Sequence, residues 1–298
     1  MKFAQVARIE SGSSTNALAL SRDGALVAVT SFDQKVRTYS TATMSLVKTT
    51  HLGTAFPHAL CFSPDGRFVA SGAKAIALFD TATWKKGVTL KGHRHEIQDA
   101  TFSADGTRVY TGSGNGYTPS DWTARAWDAA TGAQLWKWKS QREVYAVAAS
   151  PDGRTVVVGD NQGAVTLLDA DTGLPRWSTS VGAWVYGLRF TPDGASVIAS
   201  GDAHQLAVLS VADGALRTIP MKSAARAFAL TRDGATAIVG GTQYGEAVPL
   251  AAYDVATGKG LAKGPTVGRL PQGVELSPDD KRLYVLVNDP HELLVFDL

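Results

Sequence analysis

Seven residues before each of seven regularly spaced aspartates stand Asn16, His58, Gln98, Tyr145, Tyr186, Arg226 and Gln272, all of them polar or aromatic. Two residues further out lie Phe56, Glu96, Glu143, Trp184 and Leu270. Arg94, His95, Arg142, Lys222 and Arg269 occupy the neighbouring connectors. Aromatic side chains interleaved with arginine mark a surface that binds another molecule. Sharper chemistry is thinly represented. His93-x-His95 and the pair His51/His58 lack the cysteines, carboxylates or helical spacing of a zinc site. Asp169-x-Asp171 begins like a calcium loop and then lacks the remaining ligands. Gly112, Gly114 and Gly116 fall in a hairpin loop, where a phosphate cradle would need a strand-to-helix turn. No nucleophile elbow or reactive-cysteine context is present. Asp99, Arg189 and Glu275 interrupt a row of small residues and suit channel ion pairs or water binding better than catalysis.

What must position these residues is a repeated turn. It reads SRDG at Ser21, SPDG at Ser63, SADG at Ser103, SPDG at Ser150, TPDG at Thr191, TRDG at Thr231 and SPDD at Ser277. From Asp23 through Asp65, Asp105, Asp152, Asp193 and Asp233 to Asp279 the steps are 42, 40, 47, 41, 40 and 46 residues, so one supersecondary unit is copied in series. Each copy has room for four short strands. In the second they are Ala59 to Phe62, Arg67 to Ser71, Ala75 to Phe79 and Lys86 to Leu90. Reversals this tight join antiparallel neighbours, so each copy is a meander with two apolar faces. Stacking the meanders around an axis buries both faces of every sheet, which predicts an all-β, seven-bladed β-propeller with four-stranded antiparallel blades.

The last copy stops after its third strand, Glu292 to Leu298, while Lys2 to Ile9 has strand character. Residues 1–10 are therefore expected to close the ring by joining blade seven, making 1–298 a single propeller. Within each innermost strand, positions five and three before the aspartate are nearly all apolar. Simple alternation puts the seven-back residues on that same core side, at the open end around the channel mouth. The face there carries the two long insertions, Gly114 to Thr123 in blade three and Thr242 to Pro249 in blade six.

The repeats resemble those of the WD-repeat family. LKGHRHEIQDATFSADG (Leu90 to Gly106) carries Gly92-His93, and ARAWDAATG carries Trp127-Asp128. The resemblance implies a buried hydrogen-bond chain of His93, Thr111 or Ser113, Asp121 and Trp127, confined to blade three because no other copy has a Gly-His pair. AWDAATGAQLWKW (Ala126 to Trp138), LLDADTGLPRWS (Leu167 to Ser178) and AYDVATGKGL (Ala252 to Leu261) are similar to the Asp-x-x-Thr-Gly-x-x-x-Trp repeats of quinoprotein-dehydrogenase propellers. In those enzymes the tryptophans dock adjacent blades. A vicinal cysteine pair beside the quinone is common there, and Cys61 is alone here, so blade packing without a cofactor is expected.

The 29 basic and 27 acidic residues give a net charge of +2, with no basic run interleaved with aromatics, so neither nucleic acid nor membrane is expected as a partner. No apolar stretch approaches transmembrane length, MKFAQVARIESGSS lacks a signal-peptide core, and one cysteine permits no internal disulfide. A cytoplasmic home and, from the alanine- and glycine-rich composition, a bacterial source are expected. The sequence thus predicts a non-catalytic, WD-repeat-like scaffold that binds a protein or peptide on the face of the two insertions, with no metal and no cofactor. Its expected contacts are His58, Tyr117, Trp122, Arg142, Tyr145, Trp184, Tyr186, Arg226 and Tyr244. The alternative is a small-molecule enzyme or sensor, lactonase- or lyase-like, with its site at the channel mouth.

Overall fold

A computed structural model describes residues 1–53, 57–72, 74–114, 121–243 and 245–298, with the side chains at 68–72 outside that description. The chain is a β-propeller of antiparallel meanders. Among the described residues there are six four-stranded sheets and one five-stranded sheet. Four strands in every copy is therefore corrected for blade six. There the insertion folds back as Glu246–Ala247 and pairs with Thr236–Gln243, adding a short fifth strand off the main path. In the second copy the innermost strand is shorter than expected, Leu60–Phe62, and the others are Arg67–Gly72, Ala75–Asp80 and Lys86–Lys91.

Both faces of a sheet are buried because apolar residues occupy successive positions. In Ser196–Gly201, Val197 and Ala199 pack towards Val157 and Leu167 of the preceding sheet, while Ile198 packs towards Phe228 and Ala237 of the following one. An apolar cluster of this kind lies between each sheet and the next. One joins Leu18, Val27 and Tyr39 of the first copy to Tyr284, Leu286 and Val295 of the last. Ala4–Glu10 pairs antiparallel with His291–Asp297, from Ala4 opposite Asp297 to Glu10 opposite Glu292. Arg8 Nε also donates to Glu292 Oε1 at 2.7 Å.

The aspartate of each tight turn works through its side chain. In the first copy Ser21 Oγ donates to Asp23 Oδ1 at 2.6 Å, Ala25 N–H donates to the same oxygen at 2.9 Å, and Leu26 N–H donates to Ser21 Oγ at 2.9 Å. The same pattern recurs at Ser150/Asp152, Thr191/Asp193 and Thr231/Asp233. Outer-strand tryptophans link neighbouring blades: Trp136 Nε1 donates to Ala170 O, and Trp177 Nε1 to Val211 O, each at 2.9 Å. Gly173, with φ +71°, lies where a Cβ would come within 2.7 Å of the Trp136 ring, so the docking needs glycine at that turn. Arginines make equivalent links elsewhere, with Arg67 donating to Ala129 O at 3.2 Å and Arg282 to Thr41 O at 3.0 Å.

Candidate functional site at the channel mouth

The innermost strands surround a cavity of about 1050 Å³. Asn16, His58, Gln98, Tyr145, Tyr186, Arg226 and Gln272 all line it. Their route into the cavity corrects simple alternation. Pairing slips by one residue between Ile97 and Asp99, Val144 and Ala146, Val185 and Gly187, Ala225 and Ala227, and Pro271 and Gly273. The same one-residue slip, spread over a longer interval, separates Thr15 from Leu18. The seven-back residue is thus the extra one in a β-bulge, and it turns from the core side to the channel side. Val185, Leu188 and Phe190 belong to the core cluster, the last two also touching the cavity, whereas Tyr186, Gly187 and Arg189 line the cavity and are absent from that cluster. In blade two His58 precedes the short strand, and Pro57 O accepts Thr30 Oγ1 at 3.0 Å and Asn16 Nδ2 at 3.3 Å.

Four of the expected contacts form one cluster. Tyr145 stands edge-on to Trp184, with ring centroids 5.1 Å apart at 83°, and edge-on to Tyr186 at 6.2 Å. Trp184 stacks on Tyr186 at 5.8 Å and 21°. The Arg226 guanidinium lies over Tyr186, with Cζ 4.3 Å from the ring centroid. Tyr186 Oη donates to Asp202 Oδ2 at 2.8 Å, and burial together with that carboxylate pushes the phenol up to about 12. Burial likewise raises Tyr145 and lowers His58, the latter against the pull of Glu96. Phe32 meets His58 edge-on at 6.4 Å.

Trp122 and Arg142 form a second pair, with Cζ 5.8 Å from the indole, and Arg142 Nε donates to Gln162 Oε1 at 2.8 Å. Beside them Glu143 is buried; Gln98 donates to Glu143 Oε1 at 3.1 Å and Asn161 to Glu143 Oε2 at 3.2 Å. Burial, and then the Glu96 charge, raises the Glu143 carboxyl above its usual range in spite of those bonds. The indole N–H groups of Trp122 and Trp184 are buried with no acceptor among the described residues. An unmet donor of this kind costs about 1–3 kcal/mol. Tyr117 and Tyr244 lie outside the described residues.

Blade three holds a closed polar network. His93 Nδ1 contacts Asp121 Oδ2 at 2.9 Å, His93 Nε2 contacts Thr111 Oγ1 at 2.8 Å, and Trp127 Nε1 donates to Thr111 Oγ1 at 2.9 Å. A neutral ring with its proton on Nδ1 satisfies all three contacts, and burial lowers the His93 imidazole accordingly. Arg94 N–H donates to Asp121 Oδ2 at 2.6 Å, Thr123 Oγ1 to Asp121 Oδ1 at 2.9 Å, and Arg125 pairs with the same carboxylate. Burial resists ionisation of Asp121, but the donors from His93, Arg94 and Arg125 hold it far below the usual carboxylate range.

Residues 120–293 match the family model described as outer membrane protein assembly factor BamB, a span of more than half the chain. The chain belongs to that propeller family. Residues 44–75 and 84–128 match the WD domain, G-beta repeat. The second WD match spans the His93 network and ends at Asp128, and the other match overlaps it from residue 120 and contains the docking tryptophans Trp136 and Trp177. Eukaryotic translation initiation factor 3 subunit I of Bombyx mori is 36% identical over 87 residues, covering 29% of this chain and 25% of that protein. The chain therefore spans about a quarter of the length of that curated relative.

Deeper in the channel Arg189 pairs with Glu275 and donates from Nε to Phe228 O at 3.0 Å, linking blades five, six and seven. Asp99 accepts Ala100 N–H at 2.8 Å and Val147 N–H at 2.9 Å, and burial raises its carboxyl to about 6 despite these bonds. Among the described residues no group of three or more His, Cys, Asp or Glu side chains could hold a metal ion, and no helix is long and apolar enough to cross a membrane. Phe32, Asn161, Gln162 and Asp202 escaped the sequence reading as contacts. Asp202 and Gln162 sit in the tight second-to-third-strand turns of their blades, and only their polar type on the insertion-bearing face could have signalled them.

Proposed function

We propose that this chain is a non-catalytic scaffold, a ring of seven blades spanning 1–298 and closed by residues 1–10, which binds a protein or peptide partner around the channel mouth. The observation that carries the reading is the recurring bulge. It turns one polar or aromatic residue per bulged strand into the mouth, and in blades four to six it assembles Tyr145, Trp184, Tyr186 and Arg226 into a single stack. A bulge disrupts the ladder, so its recurrence at one end fits recognition better than packing. WD repeats in the early blades support a protein-interaction role. The matched relative is named as a subunit, which supports work within an assembly. The reading places the chain in the cytoplasm and leaves Trp122 and Arg142 as a second contact pair beside the central stack.

The test immobilises the protein and recovers binding partners from extract of the source cells. Trp184→Ala or Tyr186→Ala should weaken the recovered interaction by about 1–3 kcal/mol while leaving the unfolding midpoint nearly unchanged. Retention of the same partner by both variants at wild-type affinity would remove the mouth from the interface.

A further inference from the structure

We infer that the segment seated at the channel mouth is acidic, with one of its carboxylates held by the Arg226 guanidinium; this rests on the partner-binding reading above. The argument is one of unpaired charge. Arg226 is half-buried in the cavity wall, stacked on Tyr186, and has no carboxylate within ion-pair distance among the described residues. Tyr186 is itself anchored by its bond to Asp202, so the guanidinium rests on a fixed ring. A planar fork held in this way gives up little freedom when it takes a carboxylate through two parallel bonds.

The neighbouring connectors carry further cations. Arg94 and Lys222 are exposed on connectors with no carboxylate partner among the described residues, and Arg142, over the Trp122 ring and donating to the neutral Gln162, has none among them either. The acids of this face are mostly engaged. Glu143 is buried between Gln98 and Asn161, Asp202 accepts from Tyr186, Glu246 pairs with Arg269 at 3.3 Å, and Asp121 belongs to the blade-three network. Glu96 is half-buried, and Glu10 and Asp289, both in the last sheet, are exposed with no ion pair among the described residues. At the aromatic cluster a basic partner would meet no open acid, since Asp202 is engaged, and little free aromatic surface, because Trp184 and Arg226 already flank the Tyr186 ring. An acidic one meets several unneutralised cations around a cavity that can admit a side chain. So few cations suit a short acidic peptide better than a nucleic-acid backbone, whose affinity grows with the number of phosphates neutralised.

Fluorescein-labelled octaglutamate, octaglutamine, octalysine and oligothymidylate, titrated by anisotropy at one ionic strength, test this. Octaglutamate should bind at least about tenfold more tightly than octaglutamine. Arg226→Gln should abolish about tenfold of that affinity, as expected for one lost charged pair. Arg226→Lys should restore only part of it, because an ammonium cannot reproduce the stacked fork. Equal binding of octaglutamate and octaglutamine, or octaglutamate affinity unchanged in both Arg226 variants, would overturn the inference. Tighter binding of oligothymidylate would overturn it in favour of a nucleic acid. Binding of octaglutamine or octalysine that depends on Trp184 would leave the platform standing and remove only its acidic preference. If no probe responds to Trp184→Ala or to Arg226→Gln, both readings fall.

Discussion

The two ends of the innermost strands follow opposite rules. At the Asp-Gly end the turns close on themselves, most of them with a serine or threonine hydroxyl and a following backbone N–H both directed at one aspartate oxygen, as at Ser21/Asp23 and Thr191/Asp193. At the mouth end a bulge releases one residue from the ladder, and its identity changes from Gln98 to Tyr145, Tyr186 and Arg226. The constant end spends its polar groups on its own backbone. Among the described residues the variable end leaves two indole donors without acceptors and a ring-stacked guanidinium without a carboxylate. A repeat can therefore preserve folding at one end while diversifying recognition at the other.

The contrast presumes that both ends belong to one closed ring, so the largest effect should come from opening it. Removing residues 1–10 takes away the strand that pairs with His291–Asp297, together with the bond from Arg8 to buried Glu292. The exposed edge should lower the unfolding midpoint sharply and promote association, read by calorimetry and light scattering. A shortened protein that melts like the intact one and remains monomeric would show that the ends of the chain do not hold the ring.

Next in size is the network that steadies the mouth end. Asp121→Ala would leave Arg125, Thr123 and the Arg94 N–H without their shared acceptor in a buried site. Breaking a buried pair of this kind costs about 3–5 kcal/mol, measured as the loss of unfolding free energy in urea. A loss no greater than that of an exposed turn aspartate would erase the distinction between the two ends in blade three.

The propeller was legible because the Asp-Gly turns and the apolar runs repeat at nearly constant spacing. Both signals arise from local chemistry. The His93, Asp121 and Trp127 positions could be aligned for the same reason, through a recognisable Gly-His and Trp-Asp frame. The seven-back ring was visible as a set of residue types, but its side of the strand was misread. A bulge inserts a residue without altering composition, so counting by twos across it gives the wrong face for Tyr186 and its equivalents. The fifth strand in blade six was hidden because GlyThrGlnTyrGlyGluAlaVal reads as a loop until its backbone pairs Thr242 with Ala247. The pairings of Tyr186 with Asp202 and Arg142 with Gln162 depend on that three-dimensional register, which no local pattern encodes.

Acid titration should sharpen the contrast further, because Asp99 in the channel and the turn aspartates shift in opposite directions. Burial raises Asp99 in the channel from 3.8 to about 6, so its favourable contribution is complete below 3.8 and is lost as pH rises through about 6. The change is bounded at about 3 kcal/mol, from a difference of about two pKa units. Asp99→Asn should flatten stability over that interval, and a carboxyl carbon titration of the intact protein should place its midpoint near 6. A midpoint at the ordinary aspartate value would mean that channel water solvates the group fully.

The turn aspartates provide the opposite sign and the smallest effect. The Thr191 hydroxyl and then the Ala195 N–H lower Asp193, so its contribution is present at neutral pH and is lost as the solution is acidified below 3.8. Asp193→Ala removes two bonds from an exposed turn and should cost about 0.5–1.5 kcal/mol in urea, without changing peptide binding at the mouth. The same substitution tests whether the ends are independent. Their separation along Val185–Phe190 places the intact bulge at Tyr186 between the turn and the rim, so a binding defect in Asp193→Ala would show that strain at one end reaches the other through that strand.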